Sequence, residues 1–398
     1  MKVALVCDRF DPAGGGLEQW LYQLASRLER RGHDVHVIAF RVAAAAGRER
    51  MHTLAWSAHR LDRAAAVARA VAALAPDVTH DTGVGWSYDV IQPQAGSMLA
   101  NHRRDLASLS LGARWRRQMS PAWRRWRRDA RELEQRQYVG AKGLVLAVSD
   151  MVARELQCRF GVPPERVRVV PNGVDTDRYA PARCAAMRAT ARALIGADAK
   201  TPVFLFAARN PRLKGLVPLL RATAIVRTSG ASVRVVAIGS DTDGPFRREA
   251  RRLRIEDVVT FAGVVDDPAL HYAAADAFVL PTYYDACSLT VLEACACGLP
   301  VITSRHNGAA ELMRHDRDGF VLDEPDDVRG LARLMLRCSD GAVRRRVSLA
   351  ARELALRNTL ERNVDAVEHA YGEALARRMA AAPGAGRSSP ERVRLRTC

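Results

Sequence analysis

The feature that most constrains this chain is an alternation of very short apolar runs with longer stretches of helical periodicity, met once in the first half and again in the second. Val3-Ala-Leu-Val6, Val35-His-Val-Ile38, Val78-Thr79-His80, Gly143–Val148 and Arg166–Val170 form the first series. Val203-Phe-Leu-Phe-Ala207, Val233–Ile238, Val258–Phe261, Ala277-Phe-Val-Leu280 and Val301-Ile302 form the second. These runs are short, nearly continuous in apolar residues and bounded by Gly, Pro or Asp, as strands buried on both faces must be. Leu17, Leu21, Leu24 and Leu28 recur at helical spacing between the first two runs, and Gly32 closes that stretch. Strand, loop, helix, strand is the βαβ unit of a parallel sheet. The fold class expected is therefore α/β, with two Rossmann-like doubly wound domains in tandem and the crevice between them as the default ligand site.

At 398 residues and 48% apolar composition the chain has material for two cores. The expected division is an N-terminal domain over 1–180 and a C-terminal domain over 181–360. A crossover helix over 361–380 and a Pro/Gly/Ser/Arg-rich tail over 381–398, expected to be disordered, complete it. No run of about 18 uninterrupted apolar residues occurs, and the start Met-Lys-Val-Ala-Leu-Val-Cys-Asp is too soon charged for a signal sequence, so a cytoplasmic location is expected. The eight cysteines are scattered with no Cys-x-x-Cys pair, which argues against disulfides and structural zinc. The formal charge of +17 calls for a polyanionic surface, nucleic acid or anionic lipid, without deciding between them.

Residues 285–300, Asp-Ala-Cys-Ser-Leu-Thr-Val-Leu-Glu-Ala-Cys-Ala-Cys-Gly-Leu-Pro, place two carboxylates eight positions apart across a loop-to-helix junction. Glu293 is expected two turns inside the helix and Asp285 just before its start, so that both reach one elongated polar ligand. Gly298 and Pro300 read as the stop before the strand at 301. The plain alternative makes Glu293 a solvated helix residue and Asp285 an N-cap.

An acid, seven residues, Glu, a small-residue helix and Gly-x-Pro-Val resembles the signature of retaining glycosyltransferases of family 4, which have the GT-B architecture. The resemblance implies that Asp285 holds donor-sugar hydroxyls, that Glu293 holds the nucleotide ribose, and that Ser288 and Leu289 lie at the donor. Two departures stand out: the first acid is Asp where Glu is commoner, and Cys287-Ser288 fills a segment where glycine is frequent. Pro171-Asn172-Gly173-Val174-Asp175 looks like the family's turn at the end of the first domain and brings Asn172 to the site. Phe261-Ala-Gly263-Val264-Val265 sits where relatives surround the nucleobase, which assigns Gly263 and Val265. Asn307-Gly-Ala-Ala-Glu311 resembles an element beside the donor, although an acid at a helix start accounts for Glu311 equally well. Ala13-Gly14-Gly15-Gly16 lacks the Gly-x-Gly-x-x-Gly spacing of dinucleotide sites. The family's Gly-Gly loop approaches the donor diphosphate, which carries over to Gly15 and Gly16; the alternative is a tight turn needing glycine for φ alone.

Glycosyl transfer from a nucleotide sugar accumulates negative charge on the departing diphosphate, and something cationic must meet it. Arg209-Asn-Pro-Arg-Leu-Lys214-Gly215 follows a strand, opens the next helix and resembles the family's Arg-x4-Lys-Gly clamp, which makes Arg209 and Lys214, with Asp285, the catalytic candidates. The triplets Asp175-Thr-Asp177 and Asp241-Thr-Asp243 read as turn residues rather than metal ligands, so no metal and no cofactor are expected beyond a nucleotide-sugar donor, UDP-linked by preference. On the acceptor side Gln94 stands where many relatives have His. Gln cannot act as a base, and His80, Asp81 and His102 are the titratable groups nearby in sequence.

Residues 103–138 hold eleven arginines, no lysine and three tryptophans. Trp115, Met119, Trp123, Trp126, Ala130 and Leu133 recur on one helical face, and Ser120-Pro121 is expected to split the segment and cap its second half. Basic helices with Trp on the apolar side suit an anionic membrane surface, which assigns Trp115, Trp123, Arg124, Arg125, Trp126, Arg127 and Arg128 to contact with inner-leaflet lipids. Packing on the first domain is the other reading. No nucleic-acid module accompanies the charge, and no nucleic-acid partner is expected. The segment is similar to basic insertions of family members that extend the lipopolysaccharide core, which implies hexose transfer to a lipid-linked or glycan acceptor at the cytoplasmic face of the inner membrane. Two rivals stay open: a sugar-nucleotide epimerase of the same fold, and a non-catalytic protein that binds anionic surfaces.

Overall fold

A computed structural model describes residues 1–43 and 50–380. The tail over 381–398, expected to be disordered, lies outside the described residues. Two compact units are present: residues 1–103, 109–171 and 361 onward form one, and residues 104–108 and 172–360 the other.

The first unit holds a parallel sheet of seven strands: β1 (Lys2–Phe10), β2 (Asp34–Val42), β3 (Met51–Thr53), β4 (Val78–Asp81), β5 (Val90–Ile91), β6 (Leu144–Ala147) and β7 (Val167–Val169). Their spatial order is β3-β2-β1-β4-β5-β6-β7. The second unit holds β8 (Val203–Ala207), β9 (Arg234–Ile238), β10 (Val259–Gly263), β11 (Ala277–Leu280), β12 (Val301–Ser304) and β13 (Phe320–Leu322), in the order β10-β9-β8-β11-β12-β13. Both are doubly wound sheets, so the fold class expected from the alternation of runs is the one observed. The strand order reverses between β1 and β4 in one sheet and between β8 and β11 in the other, and at such a reversal the loops leaving the carboxyl ends diverge and open a crevice for ligand. Three strands have no counterpart among the apolar runs: β3, β5 and β13 are two or three residues long, too short to carry a period.

The helix Leu360–Ala380 is built into the first unit by Val364, Val367, Tyr371 and Ala374, buried at steps of three and four. Trp20 Nε1 donates to Asn363 Oδ1 at 2.9 Å, and the Tyr371 hydroxyl meets His80 Nδ1 at 2.7 Å. Arg31 is flanked by Glu361, Asp365 and Glu368 at 2.7–3.1 Å.

The basic segment is two helices, Leu111–Met119 and Pro121–Tyr138, with Ser120 accepting from Trp123 N as the cap of the second. Its apolar residues do not share one environment. Ala130 and Leu133 are buried, whereas Trp123 and Trp126 are half-buried beside His102, with the Trp126 and His102 ring centroids 4.3 Å apart. Leu111, Trp115 and Met119 are 84%, 65% and 49% exposed, and their helix buries none of its residues. The single face expected from spacing is broken at Ser120, where the chain turns between helices, so the first helix leaves the packing that the second makes. Arg124, Arg125, Arg127 and Arg128 are exposed.

Candidate functional site

In the second unit the loops leaving β8 and β11 are pressed together at the reversal of strand order. Leu213 O accepts from Tyr283 N at 2.9 Å and from Thr282 Oγ1 at 3.2 Å. Gly215 has φ +87, and a Cβ there would lie 2.0 Å from Pro281 O, so both its backbone conformation and its surroundings require glycine. This seam brings Lys214, on the first loop, to Asp285, on the second: Nζ donates to Asp285 Oδ2 at 2.6 Å and to Tyr284 O at 3.0 Å. Two residues 71 positions apart form one charge-assisted pair, half-open to solvent. Arg209, on the same loop as Lys214, is exposed and meets no carboxylate among the described residues.

Asp285 is fixed by its backbone as well as by Lys214. Its N–H donates to His306 O at 2.9 Å and its carbonyl accepts from Gly308 N at 2.8 Å, laying it beside the loop after β12. Asn307, fully buried, ties that loop in: Oδ1 accepts from Ser288 N at 3.2 Å and Ala309 N at 3.1 Å, while Nδ2 donates to Thr303 Oγ1 at 3.1 Å. Ser288 is the N-cap of the helix Leu289–Ala296. Glu293 is thus one turn inside that helix, not two, because Asp285 lies in a β-bridge, Ala286 and Cys287 bend, and Ser288, not Asp285, caps. Leu289 is half-buried at the helix start.

Glu293 Oε2 accepts from the Tyr272 hydroxyl at 2.8 Å, and Tyr272 stands edge-on to Tyr179 with ring centroids 5.6 Å apart. Burial raises the Glu293 carboxyl above its ordinary range, opposed by hydrogen bonds from Tyr272 and Tyr179 and by the Arg178 charge. A solvated helix acid would show none of this. Asn172 is buried, donating from Nδ2 to Cys287 O at 2.8 Å, with its Oδ1 unpartnered. Gly263 ends β10 with φ +71 and its carbonyl accepts from Gly239 N at 2.7 Å; Val265 is half-buried beyond it, and Glu311 is exposed on the short helix Gly308–Leu312. Asp175 Oδ1 accepts from Asp177 N and Arg178 N, which holds a turn, while Asp241 Oδ1 accepts from Val264 N just beyond the end of β10. Among the described residues no cluster of three or more His, Cys, Asp or Glu is placed to hold a metal ion.

Sequence reasoning missed Tyr272 and Tyr179 as parts of this site, and in the segment Asn307–Glu311 it gave the role to Glu311 rather than to Asn307, three positions beyond the end of β12. The tyrosines had none, since they reach Glu293 only through the fold.

In the first unit, Gly15 is the N-cap and Gly16 the first residue of the helix Gly16–Arg30. None of Gly14, Gly15 and Gly16 has positive φ, so freedom of φ is not what these glycines supply. Gly14 is required by proximity, since a Cβ there would lie 2.6 Å from Glu18 Cβ. His80 is fully buried and its pKa is pushed down to about 3 by desolvation, which makes it a neutral packing residue. Asp81, at the end of β4, accepts from Gly83, Val84 and Gly85 N–H at 2.6–2.8 Å, yet burial raises it to about 6. His102 is taken up by Trp123 and Trp126. Gln94 is half-buried with its Nε2 unpartnered.

Solved structures with this arrangement of two parallel sheets are GT-B proteins. The chain is similar to WaaG, a glycosyltransferase involved in lipopolysaccharide biosynthesis (TM-score 0.78, 20% identity, covering 92% of this chain and 98% of that one). It is also similar to sucrose-phosphate synthase of Thermosynechococcus elongatus (TM-score 0.75, 22% identity, 94% and 99%) and to HepE of Anabaena in complex with UDP-glucose (TM-score 0.68, 19% identity, 94% and 99%). These likenesses establish the fold: GT-B. The family described as Glycosyltransferase Family 4 matches residues 14–178 and that described as Glycosyl transferases group 1 matches residues 201–340, so that each half of the chain matches a glycosyltransferase family. Among curated relatives, the D-inositol 3-phosphate glycosyltransferase of Saccharomonospora viridis is 33% identical over 261 residues, 62% of this chain and 59% of that protein. D-inositol 3-phosphate glycosyltransferase 2 of Catenulispora acidiphila is 35% identical over 205 residues, 48% and 47%. The matches thus span about half to three fifths of these relatives' length.

Proposed function

We propose that the chain is a retaining, metal-independent hexosyltransferase that takes glucose from a UDP-linked donor to a membrane-associated glycan or glycolipid, such as the lipopolysaccharide core. The observation that carries this reading is the Lys214–Asp285 pair at the strand-order reversal of the second sheet, with half-buried Glu293 one helical turn beyond. Lys214 is paired with Asp285. A donor sugar engages the Asp285 oxygens through its hydroxyls, and Lys214 turns with Arg209 to the diphosphate, where charge develops as the glycosidic bond breaks. Tyr272 donates to Glu293 Oε2, and the carboxylate has further lone pairs with which to accept from a ribose hydroxyl. Gly263 and Val265 border the base, while Ser288 and Asn172 hold the helix start. The leaving phosphate oxygen takes the acceptor proton, which dispenses with a protein nucleophile and agrees with the absence of an available base at Gln94 or His80.

Leu111, Trp115 and Met119, exposed among arginines, support peripheral attachment to anionic inner-leaflet lipids. A second reading, transfer to an inositol phosphate, is favoured by the names of the curated relatives.

The test is donor turnover across a panel of UDP-, GDP- and ADP-hexoses, with and without chelator, in wild type, Lys214→Ala and Asp285→Ala. Turnover of one class, resistant to chelator and lost in both variants, is expected. Restoration by magnesium would overturn metal independence, and label returning to the nucleotide rather than an acceptor would favour an epimerase.

A further inference from the structure

The helix Pro181–Leu194 starts two residues beyond Tyr179 and lies against the far end of the helix that carries Glu293. A Cβ at Gly298 would lie 3.6 Å from Pro181 Cγ, and Arg352 Nη1 serves Ala296 O at 2.8 Å, Thr176 O at 3.1 Å and Tyr179 O at 3.3 Å. Two thiols meet at this seam. Cys184 is in the first turn of the one helix, its N–H on Ala180 O at 3.1 Å; Cys297 closes the other, its N–H on Glu293 O at 3.0 Å. The two side chains share a hydrogen bond.

All seven cysteines among the described residues are free, and this pair differs from the rest. Cys287, Cys295 and Cys338 are buried, and burial pushes their thiols up to about 12, which makes them inert packing groups. Cys7 is fully buried and likewise raised. Cys184, by contrast, is half-buried. Its hydrogen bond with Cys297 lowers its pKa, with burial opposing and the charges of Arg183, Arg188 and Arg352 assisting. Cys297 is buried and raised by the same hydrogen bond and by desolvation, and Glu293 is the acid that faces it. Arg188 is paired with Asp276 at 2.6 Å, while Arg183 and Arg352 meet no carboxylate among the described residues. A thiol in an electropositive, partly open place reacts as its thiolate, and a second thiol in contact with it is placed to trap the product.

We propose that Cys184 and Cys297 are an oxidation site for hydrogen peroxide, and that the disulfide they close weakens nucleotide binding at Glu293. The Cys184 thiolate attacks one peroxide oxygen and the O–O bond breaks, giving Cys184 sulfenic acid and a hydroxide that one proton converts to water. The Cys297 sulfur then attacks Cys184 Sγ, the S–O bond breaks, and the oxygen leaves as a second water with the Cys297 proton. Each sulfur gives up one electron to the peroxide. A covalent bond where a hydrogen bond stood draws the seam together, and both of its anchors adjoin what holds Glu293. Cys297 N–H is bonded to the Glu293 carbonyl, and Cys184 lies in the turn just beyond Tyr179, which hydrogen-bonds the Glu293 carboxyl. The effect on nucleotide rests on the donor reading; the modification rests on the thiol pair alone.

The experiment treats the reduced full chain with hydrogen peroxide, maps its non-reduced peptides by mass spectrometry and titrates it with UDP by calorimetry before and after. Wild type, Cys184→Ser, Cys297→Ser and Cys158→Ser are compared, Cys158 being the exposed cysteine outside the pair. Wild type and Cys158→Ser should yield a Cys184–Cys297 cross-linked peptide, lose UDP affinity by about fivefold or more, and regain it with dithiothreitol. Cys184→Ser should keep its UDP affinity under peroxide, and Cys297→Ser should accumulate a Cys184 sulfenic acid that dimedone traps. Each variant exchanges a thiol for a hydroxyl, and its melting curve in the reduced state reports that it is folded. Oxidation confined to Cys158 would overturn the site, and dimedone adduct at Cys184 of wild type without a cross-link would overturn Cys297 as its partner. A cross-link with unchanged UDP affinity would overturn the coupling to Glu293. A cross-link in a chain that binds no UDP even when reduced keeps the oxidation site and overturns the donor reading.

Discussion

Gly215 is the point where the two donor loops touch, and Gly215→Ala tests whether that seam holds the site. Alanine at φ +87 costs about 1 kcal/mol in backbone conformation. Its Cβ would lie 2.0 Å from Pro281 O, so the β11 loop must retreat by roughly 1.5 Å to reach an ordinary contact. That displacement breaks the bonds from Tyr283 N and Thr282 Oγ1 to Leu213 O, at about 1 kcal/mol each, for a total near 3 kcal/mol. Gly230→Ala is the control, since φ is +82 there and nothing lies within 4 Å of the added methyl. It should lose only the conformational part, about 1 kcal/mol. For a unit of this size each kcal/mol shifts the thermal midpoint by roughly 2–4 °C, so melting of the second unit should fall by about 6–12 °C in Gly215→Ala and 2–4 °C in Gly230→Ala. Nucleotide affinity should drop in the first variant alone, because Lys214 precedes the displaced residue. Equal melting shifts in the two variants would refute the argument from close approach.

Glu293, raised by burial, should lose its ribose interaction as pH falls through its folded pKa, so UDP affinity should decline on acidification in wild type. Tyr272→Phe removes a bond that lowers that pKa and should move the decline to higher pH, whereas Glu293→Gln should bind weakly with no such dependence; identical titrations in all three would refute the assignment. Asp81 stays protonated to about pH 6 in the folded chain against 3.8 unfolded. Its stabilising contribution is therefore complete below 3.8 and lost as pH rises through 6, a difference of about 3 kcal/mol that Asp81→Asn should abolish in urea titrations at pH 4 and 7. Arg→Glu changes at 124, 125, 127 and 128 should weaken binding to anionic liposomes by about a thousandfold, at on the order of 1 kcal/mol per cation, and Trp115→Ala should weaken it further. Equal binding of wild type to neutral vesicles would remove the electrostatic part.

What the sequence by itself determined is what local chemistry can specify. Strands buried on both faces must be continuous and apolar, so the runs at 203–207 and 277–280 carry their own identity, and so does the helix stop at Gly298. The motif around Glu293 was legible as a resemblance in residue order, while the two turns expected from Asp285 became one because the helix begins only at Leu289. The tertiary structure decided what depends on residues distant in sequence. Asp285 could not be seen as the partner of Lys214, because only the β8–β11 adjacency joins their loops. Nor could Glu293 be known to sit under Tyr272 and Tyr179, or His80 to be a neutral core residue beneath Tyr371. Trp115 and Trp126 share a period yet not a fate, since one helix packs and the other does not. Burial is a property of the assembled chain, and with it go the charge state and availability of every group on which the proposed chemistry depends.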